Sequence, residues 1–387
     1  MRNIYKRQPS NYNTPLNNQQ IIITVLKMGI KQLNHFLMEN CTSKAIYKTS
    51  LKNFANKTVV IDTSIYLYKF AEKSAVAENM YLMISVFRQY NIVPVFVFDG
   101  KPPVEKKALL IKRKVEKDAA EAKYNELKSA VEYGDNVVDN FTADSAGTTV
   151  NALLETREAL LSNTGTTREA LLLEMEKLKK QFVRVTETDI AKSKEIMTAL
   201  GVPYIESKGE SDHLCAFLVK HGFAWACVSD DMDMFLYGCP RVIRHLSLLN
   251  HDGVYYDTAQ ILFDLDMTQD AFNDIAILSG TDYNLNDQKS LSDTVRLYMR
   301  FREWSNFNAF RRNTVPKTFY EWLVENTEYV DNIDQLKKIR TLFDLNLFLE
   351  THKDEFKEVV DTMPFQLREV DLPHLKDVLM EDGFIFA

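Results

Sequence analysis

The chain has 387 residues, of which 45% are hydrophobic and 26% charged, so it is long enough for one large or two ordinary domains with a sizeable core. No apolar run approaches the roughly 18 residues that a membrane span requires, and no signal peptide is recognisable. The four cysteines lie far apart without a CxxC pair, which argues against a disulfide scaffold or a zinc site. These features predict an intracellular protein of a reducing compartment.

The formal net charge is −7, so the chain does not have the excess of basic residues that is common in nucleic-acid-binding proteins. The negative net charge does not by itself exclude nucleic-acid binding, because carboxylates that bind metal ions count as negative charges, although the cations neutralise them. Residues Val104–Lys117 also contain six Lys or Arg residues against two Glu residues. A local basic patch is therefore predicted in an otherwise acidic chain.

Residues 1–27 are predicted to be a disordered extension, because they begin with a polar, Asn- and Gln-rich stretch without periodicity. Thr58–Asp62 and Val93–Asp99 are apolar runs that each end in an acid, a pattern typical of buried parallel strands. Ala224–Ser229 and Val242–His245 are two further candidate strands. Because strands alternate with helical patterns, we predict an α/β fold with a central, mostly parallel sheet flanked by helices.

The sequence between residues 106 and 197 is helical and rich in charge. Within it, the hexapeptide at Thr156–Leu161 recurs at Thr167–Leu172, which is too few copies for a solenoid of about three or more repeats. We interpret residues 134–177 as a helical insertion and residues 284–387 as a helical C-terminal region.

Three of the predicted strands end in carboxylates, at Asp62, at Asp99 and at Asp231–Asp233. The functional crevice of an open α/β sheet lies at the carboxyl ends of its strands, so these acids are expected to meet in space. A single Asp after a strand is more often a helix cap or a turn residue, which is the competing interpretation at each position. The predicted constellation has seven members: Asp62, Asp99, Glu210, Asp212, Asp231, Asp233 and Asp282.

Seven acids in one crevice would repel one another, and several would be protonated unless cations held them. Mg²⁺ suits such a site, since it takes oxygen ligands and keeps several waters. Two such ions about 4 Å apart stabilise both the attacking and the leaving oxygen of a phosphodiester, and an activated water is the nucleophile. A phosphatase with an aspartyl nucleophile is disfavoured, because Asp62 is followed by Thr63-Ser64 and not by a second acid.

Six short motifs occur along the chain in a characteristic order. They are Met28–Leu33, Val60–Ser64, Val97–Pro103, Gly201–Asp212, Ser229–Asp233 and Ser279–Tyr283. Together they resemble the XPG/flap-endonuclease family of structure-specific 5′ nucleases. The resemblance implies a PIN-like 5′-nuclease fold with a helical arch, in which residues 28–133 and 178–283 are the N-terminal and internal nuclease regions.

The resemblance also implies a nuclease that cuts branched DNA with a 5′ single-stranded flap near the single-strand/duplex junction, with 5′ exonuclease activity, in replication or repair. Its cofactors would be two Mg²⁺ ions, for which Mn²⁺ can substitute. The first ion would be held by Asp62, Asp99, Glu210 and Asp212, and the second by Asp231, Asp233 and Asp282. The family usually has Glu at the position of Asp212, so the shorter side chain is expected to act through a water.

A basic helix is predicted beside these acids. Lys106 and Arg113 match the pair that the family uses to hold the scissile phosphate, and Lys117 extends the same helix face. Such a face can stabilise developing charge on the phosphate, whereas most Lys/Arg runs are only a solvated surface. Tyr68 matches an aromatic on which the family stacks a base, and its competing interpretation is a core aromatic.

The C-terminal part departs from the family pattern. Residues 284–293 contain no glycine, although the family has a glycine-containing helix–two-turn–helix there that binds duplex DNA. No sliding-clamp motif is recognisable, and we expect a monomer that acts in the nucleus, or at a cytoplasmic replication site if it is viral. Three alternatives stay open: a nuclease that prefers bubbles or four-way junctions, a catalytically silent junction-binding protein, and a PIN-like ribonuclease.

Overall fold

The computed structural model describes residues 30, 32–141, 168–284, 289–309, 317–363 and 365–384. Seven strands in these residues form one sheet. They are β1 (Ile46–Ser50), β2 (Thr58–Asp62), β3 (Val93–Phe98), β4 (Tyr204–Glu206), β5 (Ala226–Val228), β6 (Arg241–Ser247) and β7 (Asp252–Asp257). Their order across the sheet is β1-β7-β6-β5-β2-β3-β4.

Neighbouring strands from β6 to β4 are parallel, whereas β7 runs antiparallel between β6 and β1. The predicted α/β fold with a mostly parallel sheet is therefore confirmed. Strand β2 is buried from Val59 to Asp62, because helices cover both faces of the sheet. The sequence pattern missed β4, which has only three residues, and β1 and β7, in which exposed or half-buried residues interrupt the buried ones.

Fifteen α-helices lie in the described residues. They are α1 (Leu33–Asn40), α2 (Thr63–Glu72), α3 (Val76–Gln89), α4 (Lys107–Phe141), α5 (Arg168–Gln181), α6 (Glu187–Ala199), α7 (Ser211–Lys220), α8 (Thr258–Leu265), α9 (Gln269–Leu278), α10 (Leu291–Ala309), α11 (Phe319–Asn326), α12 (Ile333–Leu342), α13 (Leu345–Thr351), α14 (Lys353–Thr362) and α15 (Leu372–Glu381). Within this described part of the chain, no helix combines the length and the apolar character of a membrane span.

Two hydrophobic cores lie on opposite faces of the sheet. Successive side chains of a strand point to opposite faces, so Val60 joins one core while Val59 and Ile61 join the other. Helices α1 and α7–α14 contribute to the first core, and α2, α3, α6 and α15 contribute to the second. The helices that follow residue 282 therefore pack on the same sheet as the rest of the chain.

Some of the predicted organisation lies outside the described residues. The N-terminal extension at 1–27 does so entirely, as do residues 142–167 of the predicted insertion and residues 285–288 of the segment without glycine. At the described end of the insertion, α5 packs against α4. Lys123 Nζ of α4 lies 3.1 Å from Glu174 Oε1 of α5.

The loops that follow β3 and β4 are in close contact. The Gly100 N–H donates to the Gly209 carbonyl at 2.7 Å. A Cβ atom on Gly100 would lie 2.0 Å from the carbonyl oxygen of Ser207, so this close backbone approach requires glycine. The contact holds the loop that begins at Asp99 against the loop that ends at Glu210.

We expect Gly100→Ala to lower the free energy of unfolding by about 1–3 kcal/mol, because the methyl group must push two backbone segments apart. Gly209→Ala is the matched control, since a Cβ atom there meets nothing within 4 Å. The control should change the unfolding free energy by roughly 0.5 kcal/mol or less. Urea unfolding followed by circular dichroism measures both, and equal stability of the two variants would contradict the close approach.

Candidate active site

The carboxyl ends of β4, β3, β2 and β5 are adjacent at one edge of the sheet. Asp62 is the last residue of β2, and Asp99 directly follows β3. Asp231 and Asp233 lie in the turn shortly after β5. Because these strands are parallel neighbours, acids far apart in the sequence reach the same edge.

Helix ends supply the other three acids. Glu210 is the N-cap residue of α7, Asp212 lies in the first turn of that helix, and Asp282 follows α9. The side chains of Asp62 and Glu210 make no capping hydrogen bond to the helices that they precede. The cap interpretation, although common for such residues, therefore does not apply to these two side chains.

Two serines that the sequence analysis did not assign to the site orient Asp62. The Ser229 hydroxyl donates to Asp62 Oδ2 at 2.9 Å and accepts from the Asp231 N–H at 3.0 Å. The Ser211 hydroxyl donates to Asp62 Oδ1 at 3.3 Å, and the Ser211 N–H donates to Asp99 Oδ1 at 2.8 Å. Each serine thus links two acids, and its place within an acidic motif is the one sequence signal that could have identified it.

Burial decides the charge state of four acids in the absence of cations. Asp62 is 3% exposed, and burial followed by the nearby Asp99 and Asp231 carboxylates raises its pKa to about 8. Burial, reinforced by neighbouring acids, raises the pKa of Asp212 and Asp233 well above the usual range. Burial raises the pKa of Asp231 as well. At neutral pH the metal-free cluster therefore retains protons.

Two cationic side chains near the start of α4 form ion pairs with acids of this cluster. Lys106 Nζ lies 2.6 Å from Glu210 Oε1, and Arg113 donates from Nη2 to Asp282 Oδ2 at 2.9 Å. Burial by itself would lower the pKa of Lys106, but Tyr283 and the acidic groups around it raise that pKa, so the ammonium stays charged. Tyr283, a third residue without an assigned role in the sequence analysis, donates from its hydroxyl to Glu210 Oε2 at 2.7 Å.

Tyr68 and Lys117 lie together on α2 and α4. Lys117 Nζ is 4.8 Å from the centre of the Tyr68 ring, which is a cation–π distance. The same ammonium donates to the Val183 carbonyl at 3.0 Å. Tyr68 is half-buried.

Asp230 belongs to the acidic run after β5 but has other partners. It forms an ion pair with Lys69, and its Oδ1 accepts from the His245 N–H at 2.7 Å. Burial opposes ionisation of Asp230, but Lys69 and the other cations around it lower its pKa. Asp230 is therefore an ionised residue that stabilises the turn.

The donor set suits a hard divalent cation, since all seven predicted residues offer carboxylate oxygens. One of these oxygens, Asp233 Oδ1, is buried without a hydrogen-bond partner. No three His, Cys, Asp or Glu side chains in the described ranges are arranged to hold an ion as they stand, and Glu210 and Asp282 bond instead to Lys106 and Arg113. An unpaired buried carboxylate oxygen beside protonated acids is a group that a cation would stabilise.

Two protein-family domains match the chain. The XPG N-terminal domain matches residues 28–120, and the XPG I-region matches residues 201–282. Both segments of the chain are therefore similar to the XPG family. The two matched XPG segments contain all seven acids, and the first also contains the tyrosine and the three cations assigned to the site: Tyr68, Lys106, Arg113 and Lys117.

Similar proteins include flap endonuclease 1 of Yarrowia lipolytica, 33% identical over 288 residues, and flap endonuclease 1-A of Sorghum bicolor, 30% identical over 275 residues. The matches cover 70% and 66% of this chain, and 64% and 62% of the relatives. The chain thus spans less than two thirds of their length. The catalytic core of Rad2 in complex with DNA substrate shares the fold: the TM-score is 0.55 at 18% identity, covering 92% of this chain and 96% of that one.

We expect the metal-free protein to lose stability as the pH rises from about 5 to 8. The pKa of Asp62 is about 8 in the folded protein against an ordinary 3.8, so in this window the folded state holds a proton that the unfolded chain has released. Asp62→Asn removes this titration and should flatten the pH dependence of the melting temperature, measured in EDTA. A steeper fall in the variant than in the parent would contradict a protonated Asp62.

Proposed function

We propose that this chain is a Mg²⁺-dependent, structure-specific nuclease that hydrolyses phosphodiester bonds of branched DNA. It would cut 5′ flaps near the single-strand/duplex junction, with 5′ exonuclease activity at the same site, in DNA replication or repair. The observation that carries the proposal is the cluster of buried acids with raised pKa values, beside which Lys106 and Arg113 form ion pairs with Glu210 and Asp282. The two segments that match XPG domains support the same activity.

Two Mg²⁺ ions, or Mn²⁺ in their place, would neutralise this cluster. The proposed ligands of the first ion are Asp62, Asp99, Glu210 and Asp212, and those of the second are Asp231, Asp233 and Asp282. When bound, the ions supply a nucleophilic water at neutral pH and stabilise charge on the phosphodiester. Ser211 and Ser229 keep Asp62 oriented through their hydroxyls, as hydrogen-bonded partners of metal ligands commonly do.

Lys106 and Arg113 would bind the scissile phosphate. Their present partners, Glu210 and Asp282, are also proposed ligands, so cation binding would compete with both ion pairs. The two side chains would then donate to phosphate oxygens. Fixed positive charge at that position stabilises the transition state, in which charge on the phosphate increases.

The exposed face of α4 would guide the DNA. Lys107, Lys112 and Lys114 are exposed near the start of α4, and they favour contact with a phosphate backbone. Tyr68 offers a partly exposed ring for stacking on a base, with Lys117 beside it. A basic surface with an adjacent aromatic is typical of single-strand binding.

The purified protein should cut a 5′-labelled double-flap DNA near its junction in Mg²⁺, and EDTA should abolish cutting. Asp231→Ala should lower the rate by more than roughly 100-fold, beyond the loss typical of outer-shell partners of a metal. Glu206→Ala is the matched control, because this exposed acid lies on β4 at the same sheet edge but pairs with Lys194. The control should cut at the parental rate.

The outcomes of this assay separate the competing functions. Flap binding without cleavage by the unsubstituted protein would contradict the nuclease and favour the junction-binding protein. Faster cutting of a bubble or a four-way junction than of the flap would assign another junction preference. Equal cutting of a flap made of RNA would favour the ribonuclease.

We expect Lys106→Ala to lower kcat by on the order of 10²–10³-fold, the loss found when one donor to a developing charge is removed. Lys101→Ala is the control, since Lys101 lies in the loop that leads to Lys106 but is exposed, whereas Lys106 is 9% exposed. Single-turnover cleavage of the double flap at saturating Mg²⁺ measures both rates. Similar rates for the two variants would exclude a direct role of Lys106 at the phosphate.

A further inference from the structure

The loop at residues 207–210 positions two of the acids. It leads from β4 into α7 without regular secondary structure, and it carries Glu210 at its end, with Asp212 in the helical turn that follows. Contacts with neighbouring elements therefore decide where these two carboxylates lie. The contact with Gly100 is one of them, and it comes from the same edge of the sheet.

A second contact comes from α14, more than a hundred residues further along the chain. Glu355 is 8% exposed, and its Oε1 accepts a hydrogen bond from the Lys208 N–H at 2.8 Å. The same oxygen accepts a longer bond of 3.5 Å from the Ser207 hydroxyl, which also lies 3.4 Å from the Glu210 carbonyl. Glu355 therefore bonds to two consecutive residues of the loop.

Two further contacts join the neighbouring helices to the site. His213, in the first turn of α7, donates from Nε2 to the Leu342 carbonyl at 3.1 Å, since a carbonyl only accepts. Its ring also stacks on Phe348 with the ring centres 3.9 Å apart. Tyr283 packs edge-on against Phe343 at 5.5 Å. The segment from α12 to α14 thus contacts both the α7 side and the α9 side of the acidic cluster.

We infer that Glu355 is a positioning residue for Glu210 and Asp212, which makes the C-terminal helices part of the active site. This inference rests on the proposed function, because the loop that Glu355 holds leads to two of the ligands proposed for the first ion. The matched XPG segments end at residue 282 and do not include α14. A carboxylate that fixes a ligand-bearing loop changes metal affinity through geometry, without touching the ion.

Mn²⁺ binding to the full chain, measured by electron paramagnetic resonance, tests this role without relying on DNA cleavage. Glu355→Ala removes the acceptor and should weaken Mn²⁺ binding by on the order of 10-fold, the lower end of the range for outer-shell partners. Glu355→Gln keeps an acceptor oxygen and should bind Mn²⁺ as the parent does. Glu358→Ala, an exposed acid on the same helix, is the control and should leave the affinity unchanged.

Thermal unfolding of each variant is measured in parallel, because a purely structural residue lowers the melting temperature without changing the affinity of the folded protein. Parental Mn²⁺ affinity in Glu355→Ala would therefore overturn the positioning role, whatever its melting temperature. If Glu355→Ala does not fold, Glu355→Asp decides the question. Its shorter side chain withdraws the acceptor and should weaken Mn²⁺ binding, whereas parental affinity would overturn the role.

If the proposed function is wrong, the unsubstituted protein itself shows it. An unsubstituted protein that binds no Mn²⁺ would overturn both the metal-dependent nuclease and the role of Glu355. An unsubstituted protein that binds Mn²⁺ but cuts no branched DNA would overturn the nuclease alone. In that case the comparison between Glu355→Ala and Glu358→Ala still decides whether Glu355 positions the metal-binding loop.

Discussion

Repulsion between carboxylates at one edge of the sheet is the constraint on which the rest of the site depends. The parallel strands deliver Asp62, Asp99 and the acids after β5 to the same edge, and burial of Asp62, Asp231 and Asp233 removes the water that would screen these three. The fold meets this constraint in three ways. Buried acids retain protons, serine hydroxyls donate to Asp62, and Lys106 and Arg113 pair with Glu210 and Asp282.

The same constraint explains why distant segments converge on this edge. Helix α4 brings positive charge from one side, and α14 holds the loop before α7 from another. Gly100 allows the two acid-bearing loops to touch through their backbones. Each contact is short-range, but together they hold side chains whose mutual electrostatic energy is unfavourable in the absence of cations.

The sequence predicted most reliably those features that a local pattern encodes. The runs that form β2 and β3 are apolar throughout and end in acids, so they were recognisable as buried parallel strands. The three-residue β4 was not, because so short a strand has no periodicity. The insertion at 134–177 had a clear helical pattern, but residues 142–167 lie outside the described structure.

The sequence by itself determined the α/β sheet, the resemblance to the XPG family and the candidate acids, because each depends on residue types in short stretches of the chain. Tertiary structure alone decided which neighbours these acids have. Neither the bond between Glu355 and the Lys208 N–H nor the link from Ser229 to Asp62 leaves a trace in local sequence, since both join residues more than a hundred positions apart. Burial and electrostatic coupling are likewise properties of the packed chain, and they set the charge of Asp62.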